Sequence, residues 1–254
     1  MLITSTKNDT VKLLRSLKER SARRETGLHL IEGERLVFDA LSSGIKAEYV
    51  LAEEGSAAEA RLIAEGSSYI SVTRGVLEAV SDTKTPQGIA AAVRTPDLTP
   101  PETYPEGLIV CLDRLQDPGN LGTILRTADA MGACALLLGN GCTDPFSPKA
   151  LRSAMGSTYH IGLYEGDLAA ELPRLKESGY TLVCGHLKGE EKLPKINKNC
   201  AVVIGNEGNG VSDETASLCE LFRLPMYGRA ESLNASVAAS IMIYEISRQL
   251  HGAD

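Results

Sequence analysis

Residues 108–128 read LIVCLDRLQDPGNLGTILRTA, and the fold is decided in this stretch. The unbroken apolar run Leu108 to Leu112 has the length and continuity of a strand buried on both faces. Asp117-Pro118-Gly119 then reads as a turn, and Asn120 as the cap of a helix whose apolar stripe is Leu121, Ile124, Leu125, Ala128 and Met131. Successive helical residues rotate by about 100°, so Arg126 projects from the side opposite that stripe. Gly122 lies one turn earlier, and helical side chains lean toward the N-terminus, so the guanidinium passes over a residue without a side chain. An interior glycine costs roughly 1 kcal/mol relative to alanine, which close packing or a ligand would offset. On these residues alone Arg126 is either a functional cation or a solvated surface arginine.

Three further apolar runs follow: ALLLG (135–139), TLVCG (181–185) and AVVIG (201–205). Helical patterns lie between several of them, which implies a mainly parallel sheet with helices on both faces. Ligands of such sheets bind beyond the carboxyl ends of the strands, and the unusual residues of this chain fall there. After AVVIG comes Asn206-Glu207-Gly208-Asn209-Gly210-Val211-Ser212, with a helix expected from Ser212. Its spacing is G-x-x-G-x-G, not the dinucleotide G-x-G-x-x-G, and no acidic ribose anchor follows about twenty residues on, so a nicotinamide oxidoreductase is a poor fit. The glycines also suit a simple tight turn that Glu207 caps. A third segment, residues 224–238 (LPMYGRAESLNASVA), follows a short strand and enters a C-terminal helix whose stripe includes Leu233, Val237, Ile241 and Tyr244. By themselves Ser232 and Asn234 there are ordinary helix-capping residues.

The first half is a smaller α/β pattern. Leu36, Val37, Ala40 and Leu41 make a helical stripe, while Tyr49–Leu51, Tyr69–Val72 and Gly88–Val93 read as strands. The four prolines of residues 95–107 (TPDLTPPETYPEG) mark an exposed linker, which divides the chain into a domain at 1–97, a linker at 98–106 and a second domain at 107–254. Among 254 residues, 43% hydrophobic and 23% charged, no apolar run is long enough to span a bilayer and MLITSTKNDT is not a signal sequence, so a cytoplasmic protein with no membrane partner is expected. The six cysteines and four histidines form no ligand-spaced set, and no metal is expected. The net charge of −7 argues mildly against nucleic acid, yet residues 1–25 carry seven basic side chains against three acidic ones. That patch either tracks a phosphate backbone or is the wet face of an amphipathic helix.

The three C-terminal segments resemble, in order and spacing, the motifs of the SpoU (TrmH-like) branch of the SPOUT RNA methyltransferases: D-P-x-N-x-G-x-x-x-R-T-A, I-G-N-E-G-x-G and P-M-x-G-x-x-x-S-L-N-x-S-V-A. The stretch Ser147-Pro148-Lys149-Ala150 to Ser153-Ala154-Met155-Gly156-Ser157 is similar as well. Residues 31–37 (IEGERLV) and 81–88 (SDTKTPQG) resemble the substrate-binding domain of ribosomal-RNA members. The resemblance implies an α/β SPOUT fold with a deep trefoil knot and a homodimer joined through the catalytic domain. It also implies methyl transfer from S-adenosylmethionine to a ribose 2′-hydroxyl of RNA, ribosomal RNA before transfer RNA. It assigns Arg126, Asn120, Glu207, Ser232 and Asn234 to catalysis and substrate, and Gly185, Gly205, Asn206, Gly208, Leu224, Met226 and Leu233 to the donor. A catalytically silent RNA-binding relative is the alternative within the same fold.

Overall fold

The computed structural model describes residues 2–196 and 198–252 and separates into two compact units. The first comprises the chain up to Pro96 together with Phe146–Tyr159, and the second Asp97–Pro145 with His160 onward.

In the first unit the chain runs β1 (Leu2–Ile3), α1 (Asp9–Ser16), α2 (Arg20–Thr26), β2 (Leu28–Glu32), α3 (Glu34–Ser42), β3 (Ala47–Glu53), α4 (Ala57–Ala64), β4 (Ile70–Val72), α5 (Arg74–Val80) and β5 (Ile89–Arg94). The strands form one mixed sheet in the order β1-β4-β3-β5-β2. Val11, Leu14 and Leu17 bury one face of α1 and its end against Val76, Leu77 and Val80 of α5, so α1 is an amphipathic helix. Part of its charge is structural. Lys18 Nζ donates to the carbonyls of Ala79 and Ser81, and buried Arg23 donates to those of Leu17 and Lys18. The similarity at residues 147–157 also falls in this unit, as α7 (Pro148–Ala154) and a following 3-10 turn (Ser157–Tyr159). Arg152 of α7 bonds Glu32 and Asp82, and Tyr159 bonds the buried His29.

The second unit carries β6 (Leu108–Leu112), α6 (Pro118–Ala130), β7 (Ala135–Gly139), β8 (Gly162–Gly166), α8 (Leu168–Glu177), β9 (Thr181–Glu190), β10 (Cys200–Ile204), α9 (Asp213–Ser217), β11 (Glu220–Phe222) and α10 (Ala235–Leu250). Its six strands are all parallel, in the order β11-β9-β10-β6-β7-β8. Every residue of β6, β7 and β10 is buried, as double-faced strands require. One face packs Ile109, Cys111, Leu137 and Val203 on Leu168, Leu172 and Leu175 of α8 and Ala216 of α9, and α6 and α10 cover the other. Burial pushes the thiols of Cys134 and Cys142 up to about 11, so they remain neutral apolar groups.

Four expectations are corrected. Asn120 is not the cap of α6: Asp117 is, accepting from the Asn120 backbone N–H at 2.9 Å, with Pro118 in the first turn. The strand TLVCG does not stop at Gly185, because β9 runs on to Glu190 to pair with β11. The proline-rich segment is not free: Tyr104 is buried with its hydroxyl on Glu171 at 2.8 Å, and the carbonyls of Pro101, Glu102 and Pro105 accept from Arg174 and Tyr180. Proline lacks a donor, but its carbonyl still accepts, so these side chains, together with the Glu165 N–H on the Leu98 carbonyl at 2.7 Å, tie the segment down without a continuous ladder. Finally, Leu233, Val237, Ile241 and Tyr244 are the exposed apolar stripe of the α10 region, while Ala239, Met242, Ile243 and Ile246 face inward.

Candidate active site

The parallel sheet ends β6 and β10 side by side, so the segments that follow them emerge together. Glu207, just beyond β10, is received by the loop leading into α6. One carboxylate oxygen accepts from the backbone N–H of Asp117 and from Asn120 Nδ2, both at 3.0 Å, and the other from the Gln116 N–H at 3.2 Å. Partial burial pushes this carboxyl up, but the bonds from Asn120, Asp117 and Gln116 outweigh it and hold the group below the usual glutamate range. A carboxylate at this position also lies at the positive end of α6.

Asn120 makes a second connection. Its Oδ1 accepts from Asn234 Nδ2 at 3.1 Å, so one side chain joins residues 87 and 114 positions away. The direction of both amides is settled by their anchors. Glu207 only accepts, so it takes Asn120 Nδ2; Asn234 caps α10 with Oδ1, accepting from the Ser236 and Val237 N–H groups, so it presents Nδ2. All three segments are thereby tied into one hydrogen-bonded chain, Asn234 to Asn120 to Glu207. Thr127 Oγ1 adds a contact to Ser240 Oγ at 3.0 Å between α6 and α10.

Arg126 is exposed on α6, opposite the buried Leu121, Ile124, Leu125 and Ala128, as the periodicity requires. Its side chain makes no hydrogen bond or ion pair among the described residues. Glu207 therefore braces the loop before α6 and not Arg126 itself. Ser232 is exposed as well, and its side chain makes no hydrogen bond among the described residues.

Of the residues expected to hold a methyl donor, all but Gly185, which lies within β9, occupy the same segments. Gly205 is tightly enclosed: a Cβ there would stand 2.1 Å from the Gly210 carbonyl carbon and 2.2 Å from the Val211 nitrogen. Asn206 shapes this hairpin, with Oδ1 accepting from the N–H groups of Gly208 and Asn209 and Nδ2 donating to the Arg114 carbonyl. A Cβ at Gly185 would meet Met242 Sδ at 2.9 Å. Leu224 is half-buried, and Met226 and Leu233 are exposed. Both glycines are fixed by the packing of the fold itself, while the exposed apolar side chains of Met226 and Leu233 suit the flat ring of a nucleoside, which fits S-adenosylmethionine.

Sequence reasoning missed Asp113 and Gln116. Asp113 is buried at the end of β6 and accepts from the Ser212 N–H at 2.7 Å, while Gln116 Nε2 donates to the Gly141 carbonyl at 2.5 Å. An acid directly after a fully apolar strand was the available signal for the first; nothing marked the second.

A parallel sheet with this site at its carboxyl edge defines a class: residues 107–244 match the SpoU rRNA Methylase family, and the chain belongs to it. Residues 8–91 match the MRM3-like substrate binding domain. Among curated proteins the chain is 37% identical over 248 residues to the 23S rRNA (guanosine(2553)-2′-O)-methyltransferase RlmP of Bacillus subtilis, covering 96% of this chain and 98% of that one. It is 31% identical to the human mitochondrial rRNA methyltransferase 3, covering 93% of this chain and 71% of the other. Among solved structures, the AdoMet-bound rRNA methyltransferase of Sinorhizobium meliloti superposes with a TM-score of 0.87 at 33% identity, over 98% of this chain and 97% of that one. The α/β SPOUT architecture and the S-adenosylmethionine-dependent RNA methyltransferase class are thus those of this chain.

Proposed function

We propose that this chain methylates a ribose 2′-hydroxyl of ribosomal RNA, of the 23S type, with Arg126 at the centre of the site. The observation that carries the reading is the Asn234–Asn120–Glu207 chain, which gathers three distant segments beside an exposed arginine whose side chain bonds none of the described residues. Relatives named for ribosomal RNA, the Bacillus subtilis 23S rRNA methyltransferase and the human mitochondrial rRNA methyltransferase 3, match along 96% and 93% of the chain, which supports that substrate over transfer RNA.

S-adenosylmethionine, when bound, supplies a methyl group on a positively charged sulfur. The chain must hold that donor, align the ribose oxygen with it and exclude water. Gly185, Gly205, Asn206, Gly208, Leu224, Met226 and Leu233 hold the donor. A guanidinium stays protonated, so Arg126 cannot remove the 2′-proton. It clamps the adjacent phosphate and stabilises negative charge growing on the 2′-oxygen. Asn120 keeps one N–H and one carbonyl lone pair beyond its two bonds, which suits it to position the ribose together with Ser232 and Asn234. Glu207 keeps the start of α6 in register.

Residues 1–97 are assigned to RNA binding, 98–106 to the linker and 107–254 to catalysis. The exposed stripe Val237, Ile241 and Tyr244, at 47%, 40% and 49% exposure, supports a homodimer through α10, since an apolar stripe of this kind suits burial by a partner. A deep trefoil knot in the second unit goes with the family. No helix among the described residues is long and apolar enough to cross a membrane, which agrees with a cytoplasmic protein.

The test is transfer of labelled methyl to purified 23S rRNA and to transfer RNA, followed by mapping of 2′-O-methyl groups. Label on 23S ribose supports the reading. Label on transfer RNA alone moves the substrate, and donor binding without transfer to either identifies a silent relative.

A further inference from the structure

Arg114 follows β6 directly, and no role in the reaction has been assigned to it. Its φ is +56°, one of two non-glycine residues among those described with a left-handed backbone. The Cβ of an ordinary side chain crowds the following carbonyl there, and glycine, or asparagine with its local hydrogen bonding, is the residue that such a position selects. The conformation is held from three sides. The Arg114 carbonyl accepts from Asn206 Nδ2 at 2.9 Å and from Gln116 Nε2 at 3.3 Å, and the side-chain stem runs past Gly141, whose Cβ would meet Arg114 Cγ at 3.5 Å. The fold therefore keeps a long cation where a small residue would fit with less strain.

The side chain is partly organised. Nε donates to Asp113 Oδ1 at 3.0 Å, and the buried Asp113 is itself fixed by the Ser212 N–H. No hydrogen bond is made by either Nη among the described residues, and the side chain is 43% exposed. A guanidinium oriented through Nε, with its two outer nitrogens open, matches an oxyanion in bidentate fashion. The neighbouring carboxylates do not compete, because Asp113 is engaged by Arg114 and Ser212, and Glu207 by Gln116, Asp117 and Asn120.

We propose that Arg114 is a second RNA-binding cation of this site, gripping a backbone phosphate of the substrate alongside Arg126. The proposal rests on the RNA methyltransferase reading above. It goes further by naming a binding residue in the first segment and its ligand, a phosphodiester.

The test compares the full-length wild type with Arg114→Gly, Arg114→Asn and Arg114→Lys. Glycine and asparagine accept the left-handed backbone, so both variants fold with a melting temperature equal to or above that of the wild type. Affinity for a 23S rRNA fragment weakens about tenfold in both, and the slope of log affinity against log salt falls by about one. Lysine keeps the charge without the fork and lies between. Affinity for S-adenosylmethionine, measured by calorimetry, is unchanged in all three. RNA affinity within about twofold of wild type, with the salt slope retained, overturns the proposal. So does a loss of donor affinity with RNA binding intact, which would make the donor's own carboxylate the oxyanion. Wild-type chain that neither binds nor methylates RNA defeats the proposed function and this inference together, whereas an active wild type with unaffected variants defeats only the inference.

Discussion

Replacing Glu207 with glutamine tests whether one carboxylate holds the site together. In the wild type its two oxygens receive the Gln116 N–H, the Asp117 N–H and Asn120 Nδ2, at 3.2, 3.0 and 3.0 Å. The amide of Glu207→Gln keeps one acceptor oxygen and turns the other into a donor, so at least one of these N–H groups faces an N–H. A charge-assisted bond contributes about 1.5–3 kcal/mol when sheltered, and the favourable term at a helix N-terminus adds about 0.3–1 kcal/mol. The side chain is largely solvent-exposed, which reduces both, and a net loss of about 1–2 kcal/mol follows. At about 2–4 °C per kcal/mol for a unit of this size, unfolding of the second unit moves down by about 2–8 °C. The pH dependence has a definite sign. The folded-state pKa of Glu207 lies below the usual glutamate range, so its stabilisation is complete above that range and disappears as pH falls through the lower folded-state value. Calorimetric scans at pH 7 and at pH 3 should show the gap between wild type and Glu207→Gln narrowing at low pH. A gap under about 1 °C at pH 7, or one equally wide at both pH values, would refute the bracing role.

Further outcomes follow from the same geometry. Gly205→Ala places a methyl 2.1 Å from backbone that cannot yield, so it abolishes detectable donor binding in calorimetry. Gly185→Ala meets only the flexible end of Met242 at 2.9 Å and weakens binding far less. Arg126→Ala removes an exposed, unbonded side chain, so the melting temperature holds while methyl transfer falls by about 10²–10³-fold; near-normal turnover would eliminate the clamp. Val237→Glu combined with Ile241→Glu puts charge into the exposed stripe of α10. Light scattering should then report a monomer, and an unchanged mass for the variant would exclude that face as the dimer contact.

Much of the second unit was legible from local pattern. LIVCL, ALLLG and AVVIG are runs that only a doubly buried strand tolerates, and each is a central strand here. Strand β8, GLYEG, escaped notice because an edge strand needs apolar residues on one side only. The helical period placed Arg126 on the open side of α6, and motif order identified the family, since three spaced matches are far rarer than one. Other readings failed where local choices are nearly equal in energy. Asp117 and Asn120 are both good caps, and Pro118, favoured in the first turn, gives the role to Asp117. In α10 two apolar stripes lie on neighbouring faces, and the periodicity does not say which one the sheet covers.

Local chemistry, then, was enough to determine the central strands, the helix that carries Arg126 and the residue types at the sheet's carboxyl edge, because hydrophobic period and turn preference act over a few residues. Only the tertiary structure decided that Asn120 touches both Glu207 and Asn234, that residues 146–159 pack with the first unit, and that Arg114 adopts a left-handed backbone. Each of these depends on groups brought together from distant parts of the chain, and short-range preferences do not encode which distant partner will satisfy a given donor or acceptor.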